Sequence, residues 1–451
     1  MRRWAVSFLF AGSSTTDVVG IRPRHATTLE NRLSCDAIPL ASDGHRLSTQ
    51  YRDNRGMHST QSLLPRDAIV NLRASKIREV ANAGIGRDDV LTFWFGEPDE
   101  VTPDFIRTAA AESLALGETF YSHNLGLPEL RETVARYLSR LHPNPAAPIA
   151  ADNIAITSAG VNALSLAAQC IVSPGDHVVC VTPLWPNLVE IPKILSANVQ
   201  CISLEFGACG WQLDLDKLLA ALTPNTKMLM VNSPNNPTGW TLTRDEQAAI
   251  LARCRQHGIW ILADDAYERL VFDDTGRAPS FFDISDANDR LVSANTFSKS
   301  WLMTGWRLGW LVAPAPFIEQ LGKVIEYNTS CSPVFIQRAG DAAIRGGDAV
   351  IARTQARFRM ARDHLCAALN ALPGVHAPPP SAAMYAFFKV DGMNDSLAFC
   401  KRLVTDHGLG IAPGAGFGDE GEGYLRWCFA SELPRLDDGI ARFKAGLAAG
   451  R

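Results

Sequence analysis

The sequence predicts an α/β protein with a mostly parallel sheet covered by helices, together with a second, smaller α+β domain. Short apolar segments alternate with helical segments from about residue 153. Apolar strands of this kind are typical of parallel sheets that are buried on both faces. After about residue 333 the chain becomes rich in helix and its strands are few. These two observations, with a length of 451 residues, indicate more than one domain.

Helices and apolar strands follow one another along the first part of the chain. Residues 101–141 are predicted to be mainly helical. The strands are predicted at 153–157, 177–182, 199–206, 227–232, 259–263, 291–294 and 308–313. Between them, helices are predicted at 161–172, 213–222 and 243–257. The last helix begins with a capping box, because Thr243 is followed three residues later by Glu246.

The C-terminal part is predicted to contain one long helical region and two strands. The helical region covers residues 336–372 and is broken at Gly346-Gly347. The strands follow at 384–390 and 424–429. We therefore expect four parts in the chain, namely an N-terminal extension (1–56), a segment that joins the small domain (57–105), a large domain (106–332) and a C-terminal small domain (333–451).

The extension differs from the rest of the chain because it shows no helical or strand periodicity and holds eight arginines and five acidic residues. Two interpretations stay open. Residues 1–56 are a disordered extension, or the upstream codons are wrongly assigned and Met57 is the true start. A secretion signal is disfavoured because the apolar stretch near the N-terminus is short.

The composition excludes several classes of protein. A net charge of −4 gives no support to nucleic-acid binding driven by overall positive charge. The sequence has no uninterrupted apolar run of about 18 residues, so we expect no membrane span. The ten cysteines include no C-x-x-C pair. This disfavours a zinc ribbon or a dense disulfide framework and fits a reducing, cytoplasmic compartment. We expect no metal site.

A lysine at the end of a predicted strand is the first candidate for chemistry. Lys299 is one of nine lysines in the chain and stands among Phe, Ser, Trp and Met residues. A buried ammonium group is costly, so such a lysine is either paired or functional. Burial lowers its pKa and frees the amine to attack a carbonyl group, as a Schiff-base lysine does. A surface lysine at the strand end is the alternative.

Two further polar segments come directly after apolar strands. Asn236 lies in the segment Asn-Ser-Pro-Asn-Asn-Pro-Thr-Gly (232–239), and Asp264 begins the segment Asp-Asp-Ala-Tyr (264–267). The first is a turn with amide donors, and the second places a carboxylate where it needs a partner or a cation. Ligands of parallel α/β sheets gather at the carboxyl ends of strands. These residues are therefore candidates for one site, with an ordinary turn and a capping aspartate as the alternatives.

Together these segments resemble the class I/II family of pyridoxal-phosphate-dependent aminotransferases, which have the aspartate-aminotransferase-like fold (fold type I). The matching elements are N-x-P-x-N-P-T-G at 232–239, D-x-A-Y at 264–267 and S-K-x(7)-R at 298–307. The resemblance extends from about residue 66 to the C-terminus. It implies a pyridoxal 5′-phosphate cofactor and a ping-pong transfer of an amino group between an L-amino acid and a 2-oxo acid.

The resemblance implies roles for five residues around the cofactor ring. Lys299 matches the lysine that holds the cofactor as an internal aldimine and then moves the α-proton of the substrate. Asp264 matches the carboxylate that pairs with the pyridine nitrogen. Asn236 and Tyr267 match donors to the phenolic oxygen. Trp185 matches the aromatic side chain that stacks on the ring.

The resemblance also implies a phosphate site at the start of a helix. The backbone of Gly160, Val161 and Asn162 matches donors there, because N–H groups at a helix N-terminus bind a dianion well. The family more often has serine, threonine or another small residue near position 162. Thr296 matches a hydroxyl donor and Arg307 matches the phosphate arginine.

The substrate and the partner subunit have matching residues too. Arg426 matches the arginine that binds the α-carboxylate of the substrate, with Gly96 and Asn236 beside it. Tyr121 matches the tyrosine that reaches the phosphate of a neighbouring subunit, which implies a homodimer with shared active sites. Dicarboxylate-specific relatives bring a second arginine from the neighbouring subunit, in the region that matches 327–335, where this chain has none. This favours substrates with neutral side chains.

Two alternative functions stay open at this point. A C–S β-lyase would use the same cofactor, because the protein decides by orientation which bond is broken. A ligand-sensing domain without catalytic activity is the alternative outside enzymes. Regulators that contain such a domain carry an N-terminal helix-turn-helix, which the first 56 residues are too short and irregular to supply.

Overall fold

The computed structural model describes residues 64–208 and 210–449, so the predicted extension (1–56) lies outside the described residues. The described strands are β1 (Leu91–Thr92), β2 (Ile154–Thr157), β3 (His177–Thr182), β4 (Asn198–Ser203), β5 (Glu205–Gly207), β6 (Gly210–Gln212), β7 (Thr226–Asn232), β8 (Trp260–Asp264), β9 (Leu291–Thr296), β10 (Gly309–Val312), β11 (Val375–His376), β12 (Tyr385–Val390), β13 (Leu409–Gly410), β14 (Ala412–Pro413) and β15 (Tyr424–Cys428). The described α-helices are α1 (Asp67–Val70), α2 (Lys76–Ala83), α3 (Asp104–Ala115), α4 (Pro128–Leu141), α5 (Gly160–Ile171), α6 (Asn187–Ile194), α7 (Leu215–Ala221), α8 (Arg244–His257), α9 (Ala315–Glu326), α10 (Val334–Gly346), α11 (Asp348–Asn370), α12 (Ser396–His407) and α13 (Leu433–Ala449).

The largest described sheet has seven strands in the order β2-β10-β9-β8-β7-β3-β4. The strands from β9 to β4 run parallel to their neighbours, whereas β10 is antiparallel to both β9 and β2. The prediction of a mostly parallel sheet is confirmed. The direction of β10 could not be predicted, because an apolar run looks the same whichever way the strand points.

Helices cover both faces of this sheet. Val178 and Cys180 of β3 pack in a cluster that also contains residues of α5, α6 and α9. The alternate residues Val179 and Val181 pack on the other face with residues of α4, α8 and α10. Successive side chains of a strand point to opposite faces, so a strand between two helical layers must be apolar throughout. This is the pattern that the sequence shows.

A smaller antiparallel sheet has the order β11-β12-β15-β14. In its central pair Tyr385 lies opposite Cys428 and Phe387 lies opposite Arg426. Apolar residues of α2, α11, α12 and α13 pack with this sheet in one core. The prediction of a second, smaller part that contains both helices and strands is therefore confirmed. The four-part division of the chain stays a prediction. Helix α10, which falls in the predicted C-terminal part (333–451), packs against α3 and α4 beside the large sheet.

Local signals in the sequence locate several element boundaries. The hydroxyl of Thr243 accepts a hydrogen bond from the Glu246 N–H (3.2 Å), and the Glu246 carboxylate accepts one from the Thr243 N–H (2.7 Å), which is the predicted capping box of α8. The long helical region is interrupted at Gly347, between α10 and α11. The predicted strand 199–206 is instead divided at Leu204 into β4 and β5.

Within the described part of the chain, no helix is long and apolar enough to cross a membrane. The same residues contain no group of three or more histidine, cysteine, aspartate or glutamate side chains that could hold a metal ion. The eight described cysteines are free thiols.

Candidate active site

The carboxyl ends of β7, β8 and β9 meet at one edge of the large sheet. In the parallel register Asn232 lies opposite Asp264, and Asp264 lies opposite Ala294. Asn236 follows β7 by four residues and Lys299 follows β9 by three. The three polar segments of the sequence are thus brought together because parallel neighbours end at the same edge.

A cavity of about 490 Å³ opens at this edge, between the large sheet and the smaller one. Eleven of the predicted site residues line it, namely Gly96, Gly160, Val161, Trp185, Asn236, Asp264, Tyr267, Thr296, Lys299, Arg307 and Arg426. Most of these lie more than 20 residues from the next one along the chain, so the fold and not local sequence assembles the set.

Two predicted site residues do not line the cavity. The Asn162 side chain accepts a hydrogen bond from the Ser158 N–H (3.2 Å) and donates one to the Asn328 side chain (3.1 Å). Tyr121 is 90% exposed. Their roles at the phosphate, which for Tyr121 involves a second subunit, stay predictions.

The amine of Lys299 points toward the backbone on the opposite wall. Its Nζ donates a hydrogen bond to the Gly96 carbonyl and lies 5.8 Å from the ring centroid of Tyr267. Burial, reinforced by the positive charges of Arg426 and Arg307, lowers the pKa of Lys299 to about 8. Roughly half of this amine is therefore neutral and nucleophilic near pH 8, whereas an ordinary lysine is almost fully protonated there.

This pKa has a direct consequence for chemical labelling. In the cofactor-free protein, we expect the rate of Lys299 acylation by a small reagent to rise with pH and level off above about pH 8. A capped lysine peptide in the same reaction serves as the control, and its rate should still be rising at pH 10, because a model lysine titrates near 10.4. Brief labelling followed by peptide mass mapping measures both. Parallel profiles for the two lysines would contradict the expectation.

Asp264 is a buried carboxylate that has few hydrogen-bond donors around it. Among the described residues its only hydrogen-bond donor is the Ala266 N–H, at 3.3 Å. Burial raises the pKa of Asp264 to about 7, and the charge of Lys299 opposes that rise. A carboxylate in this state would be stabilised by a cationic N–H group placed in the cavity, where its charge can be paired.

A pair of tyrosines closes one side of the site. The hydroxyl groups of Tyr267 and Tyr385 are 2.7 Å apart. Burial, together with Tyr385, raises the pKa of Tyr267 well above its usual range, so this hydroxyl stays protonated and available as a donor. A Cβ atom at Gly96 would lie 1.9 Å from the Tyr385 hydroxyl, so glycine is required for this close approach.

Arg426 presents a buried guanidinium group that has no acidic partner among the described residues. It donates hydrogen bonds to the Asn236 side chain (3.1 Å) and to the Trp94 carbonyl, while its Nε has no described partner. The group also lies over the rings of Tyr385 (4.5 Å) and Phe417 (4.8 Å). A planar cation with an unfilled donor is well suited to a carboxylate.

The opposite end of the cavity has the features of an anion site. Helix α5 begins at Gly160, where the backbone comes close enough to β9 that a Cβ would lie 3.2 Å from the Thr296 side chain. Arg307, in a left-handed conformation (φ 55°), also lines this cavity. Free N–H groups at a helix N-terminus, a hydroxyl group and a guanidinium group are together suited to a phosphate.

Sequence reasoning did not identify several residues of the cavity. Tyr385 and Phe95 stand in apolar surroundings in the sequence, where an aromatic residue is indistinguishable from a core residue. Ser75, Ile77 and Arg78 come from α2 and its N-cap and reach the cavity only through the packing of α2 on α12 and β14. No local pattern marks them, so the structure was needed to find them.

Comparisons with known proteins identify the family of this chain. The family model described as "Aminotransferase class I and II" matches residues 88–442. Aspartate aminotransferase of Pyrococcus horikoshii is 31% identical over 84% of this chain and 96% of its own length. A probable N-acetyl-LL-diaminopimelate aminotransferase of Bacillus subtilis is 32% identical over 83% and 93%. The solved structure of Thermotoga maritima aspartate aminotransferase superimposes with a TM-score of 0.79 at 29% identity, covering 85% of this chain and all of that one.

Proposed function

The chain belongs to the aminotransferase class I and II family and is a transaminase, and from this premise we propose that it works with pyridoxal 5′-phosphate bound covalently to Lys299. It moves an amino group between an L-amino acid and a 2-oxo acid. The observation that carries the proposal is the content of one cavity: a lysine amine of lowered pKa, a buried carboxylate and a buried arginine without an acidic partner.

The residues of the cavity fit this cofactor. Asp264 would pair with the protonated pyridine nitrogen, which relieves the cost of its burial. Asn236 and Tyr267 supply donors for the phenolic oxygen, and Trp185 supplies an aromatic face. The N-terminus of α5, Thr296 and Arg307 suit the phosphate. When bound, the cofactor supplies an electron sink for negative charge at the substrate α-carbon.

The protein side of the reaction follows from the positions of two residues. Arg426 binds the α-carboxylate of the substrate through two parallel hydrogen bonds and so orients the bond between Cα and its hydrogen. Lys299 Nζ, released from its covalent bond when the substrate amine takes its place, would take that proton, for which an amine pKa of about 8 is suitable. Buried aromatic residues around Arg426 exclude water and strengthen its hold on the carboxylate.

We also propose that the enzyme is a cytoplasmic homodimer. The exposed aromatic residues Phe120 (84%) and Tyr121 (90%) support this, because aromatic side chains are enriched at interfaces. In this arrangement Tyr121 of each subunit would reach the phosphate in its partner. The lyase and the ligand-sensing alternatives have no support from the comparisons.

The proposal is tested by following nitrogen. The purified enzyme, saturated with pyridoxal phosphate, is given amino acids labelled at nitrogen together with pyruvate or 2-oxoglutarate. We expect the label to appear in a new amino acid, with parallel lines in double-reciprocal plots, as a ping-pong cycle requires. Ammonia and pyruvate released from a cysteine-type donor without any 2-oxo acid would instead identify a lyase.

A further inference from the structure

One cationic side chain at the cavity has no role in the chemistry described so far. Arg78 lines the cavity together with Lys299, Arg307 and Arg426. Asp264 is the one carboxylate among the described residues that line it. Arg78 is exposed and its guanidinium group forms no ion pair with the described part of the chain. The cavity therefore has one more positive charge than the cofactor and the α-carboxylate of a substrate require.

Three cations that line the cavity contact three consecutive residues, Trp94 to Gly96. Arg426 donates a hydrogen bond to the carbonyl of Trp94. The guanidinium group of Arg78 lies 4.7 Å from the ring centroid of Phe95. Lys299 donates to the carbonyl of Gly96. Neighbouring Cα atoms are about 3.8 Å apart, so the three cations contact one short segment, of which Phe95 and Gly96 line the cavity.

Arg78 is held in this place by the helix that carries it. The Ser75 hydroxyl caps α2 by accepting a hydrogen bond from the Arg78 N–H (3.2 Å). Ile77, the residue before Arg78, is buried in the core of the smaller sheet. The ion pair between Glu79 and Lys401 joins α2 to α12. The side chain of Arg78 thus starts from a fixed point and rests on Phe95, as cations commonly do on aromatic rings.

We propose that Arg78 is a specificity-determining residue that binds the side-chain carboxylate of dicarboxylic amino acids and 2-oxo acids. This rests on the proposed function, because it takes Arg426 to hold the α-carboxylate and Lys299 to take the α-proton. The third cation beside the same segment is then left for the side chain of the substrate. A guanidinium group binds a carboxylate through a planar pair of hydrogen bonds. The sequence prediction of neutral side chains considered residues 327–335, whereas this cation comes from α2.

The test compares Arg78→Gln and Arg78→Lys with Lys76→Gln as the matched control. Lys76 is on the same helix, and its replacement removes the same charge, but Lys76 does not line the cavity. We expect Arg78→Gln to lower kcat/KM for L-aspartate and L-glutamate by about 10- to 100-fold, since a hydrogen bond to a charged group is lost. The value for L-alanine should change less than about 3-fold. Arg78→Lys should recover part of the loss, and Lys76→Gln should behave as the wild type.

Binding gives a second measurement that does not depend on turnover. Titration calorimetry should show that Arg78→Gln weakens an unreactive dicarboxylate such as maleate while leaving a monocarboxylate unchanged. The specificity role of Arg78 would be refuted if Arg78→Gln lowered kcat/KM equally for L-aspartate and L-alanine. It would also be refuted if neither kcat/KM nor maleate binding changed. Either result would leave the proposed aminotransferase function standing. If no amino acid donates nitrogen but maleate binding still depends on Arg78, the proposed function fails and the dicarboxylate site stands.

Discussion

Replacement of Lys299 by alanine is expected to abolish amino transfer and covalent attachment of the cofactor. The substitution removes the amine that forms the covalent bond and the group that takes the α-proton, and the chain has no other lysine lining the cavity in its described part. Acid–base catalysis alone contributes about 10²- to 10⁴-fold, so kcat should fall by at least about 10⁴-fold when both roles are lost. Steady-state rates and the visible absorbance of the lysine-linked cofactor measure the two effects.

The fold of this variant should survive, which keeps the experiment informative. Among the described residues, the Lys299 side chain contributes one hydrogen bond, to the Gly96 carbonyl, and burial already disfavours its charge. Lys323→Ala, at an exposed lysine, is the control for a general effect of losing a lysine. In the wild type, borohydride reduction followed by digestion should place the cofactor mass on the peptide that contains position 299. An unmodified peptide there, from a cofactor-saturated sample, would refute the assignment.

The sequence predicted much of the large sheet because its signals are local. A run of apolar residues identifies a strand that is buried on both faces, and the polar residue that ends such a run, such as Asp264, lies where ligands bind. The direction of β10 and the division between β4 and β5 depend on neighbours that are distant in sequence. No pattern of apolar residues carries that information.

The candidate site was predictable where a residue belongs to a motif and unpredictable where packing alone brings it in. Asn236, Asp264 and Lys299 each stand in a recognisable segment, and all three line the cavity. Arg78 and Tyr385 have no such segment. Arg78 reaches the cavity because α2 is anchored by its apolar face, and Tyr385 because β12 pairs with β15 beside Arg426. The residue that we propose to determine substrate preference, Arg78, is of this second kind, so the sequence predicts the reaction better than the substrate.

Replacement of Asp264 by asparagine is expected to have the second largest effect on catalysis. The change preserves shape but removes the negative charge that would keep the pyridine nitrogen protonated. Loss of one partner of a buried charge pair costs about 2–5 kcal/mol, so kcat should fall by roughly 30- to 5,000-fold. The neighbouring Asp265→Asn is the matched control, because Asp265 is also buried but accepts a hydrogen bond from Ser293 (2.5 Å) and does not line the cavity. Its kcat should stay within about 5-fold of the wild type.

The Asp264→Asn substitution should also make the cofactor-free protein more stable. Burial raises the pKa of Asp264 to about 7, above its ordinary value of 3.8, so the folded state binds this proton more tightly than the unfolded chain does. Between about pH 4 and pH 7 the free energy of unfolding therefore falls as the pH rises, by roughly 2–4 kcal/mol for this group. Asparagine carries no such cost. We expect the melting temperature of cofactor-free Asp264→Asn to exceed that of the wild type by several degrees at pH 8 and by much less at pH 5. A variant that is both less stable at pH 8 and fully active would show that Asp264 stabilises the fold and has no part in the reaction.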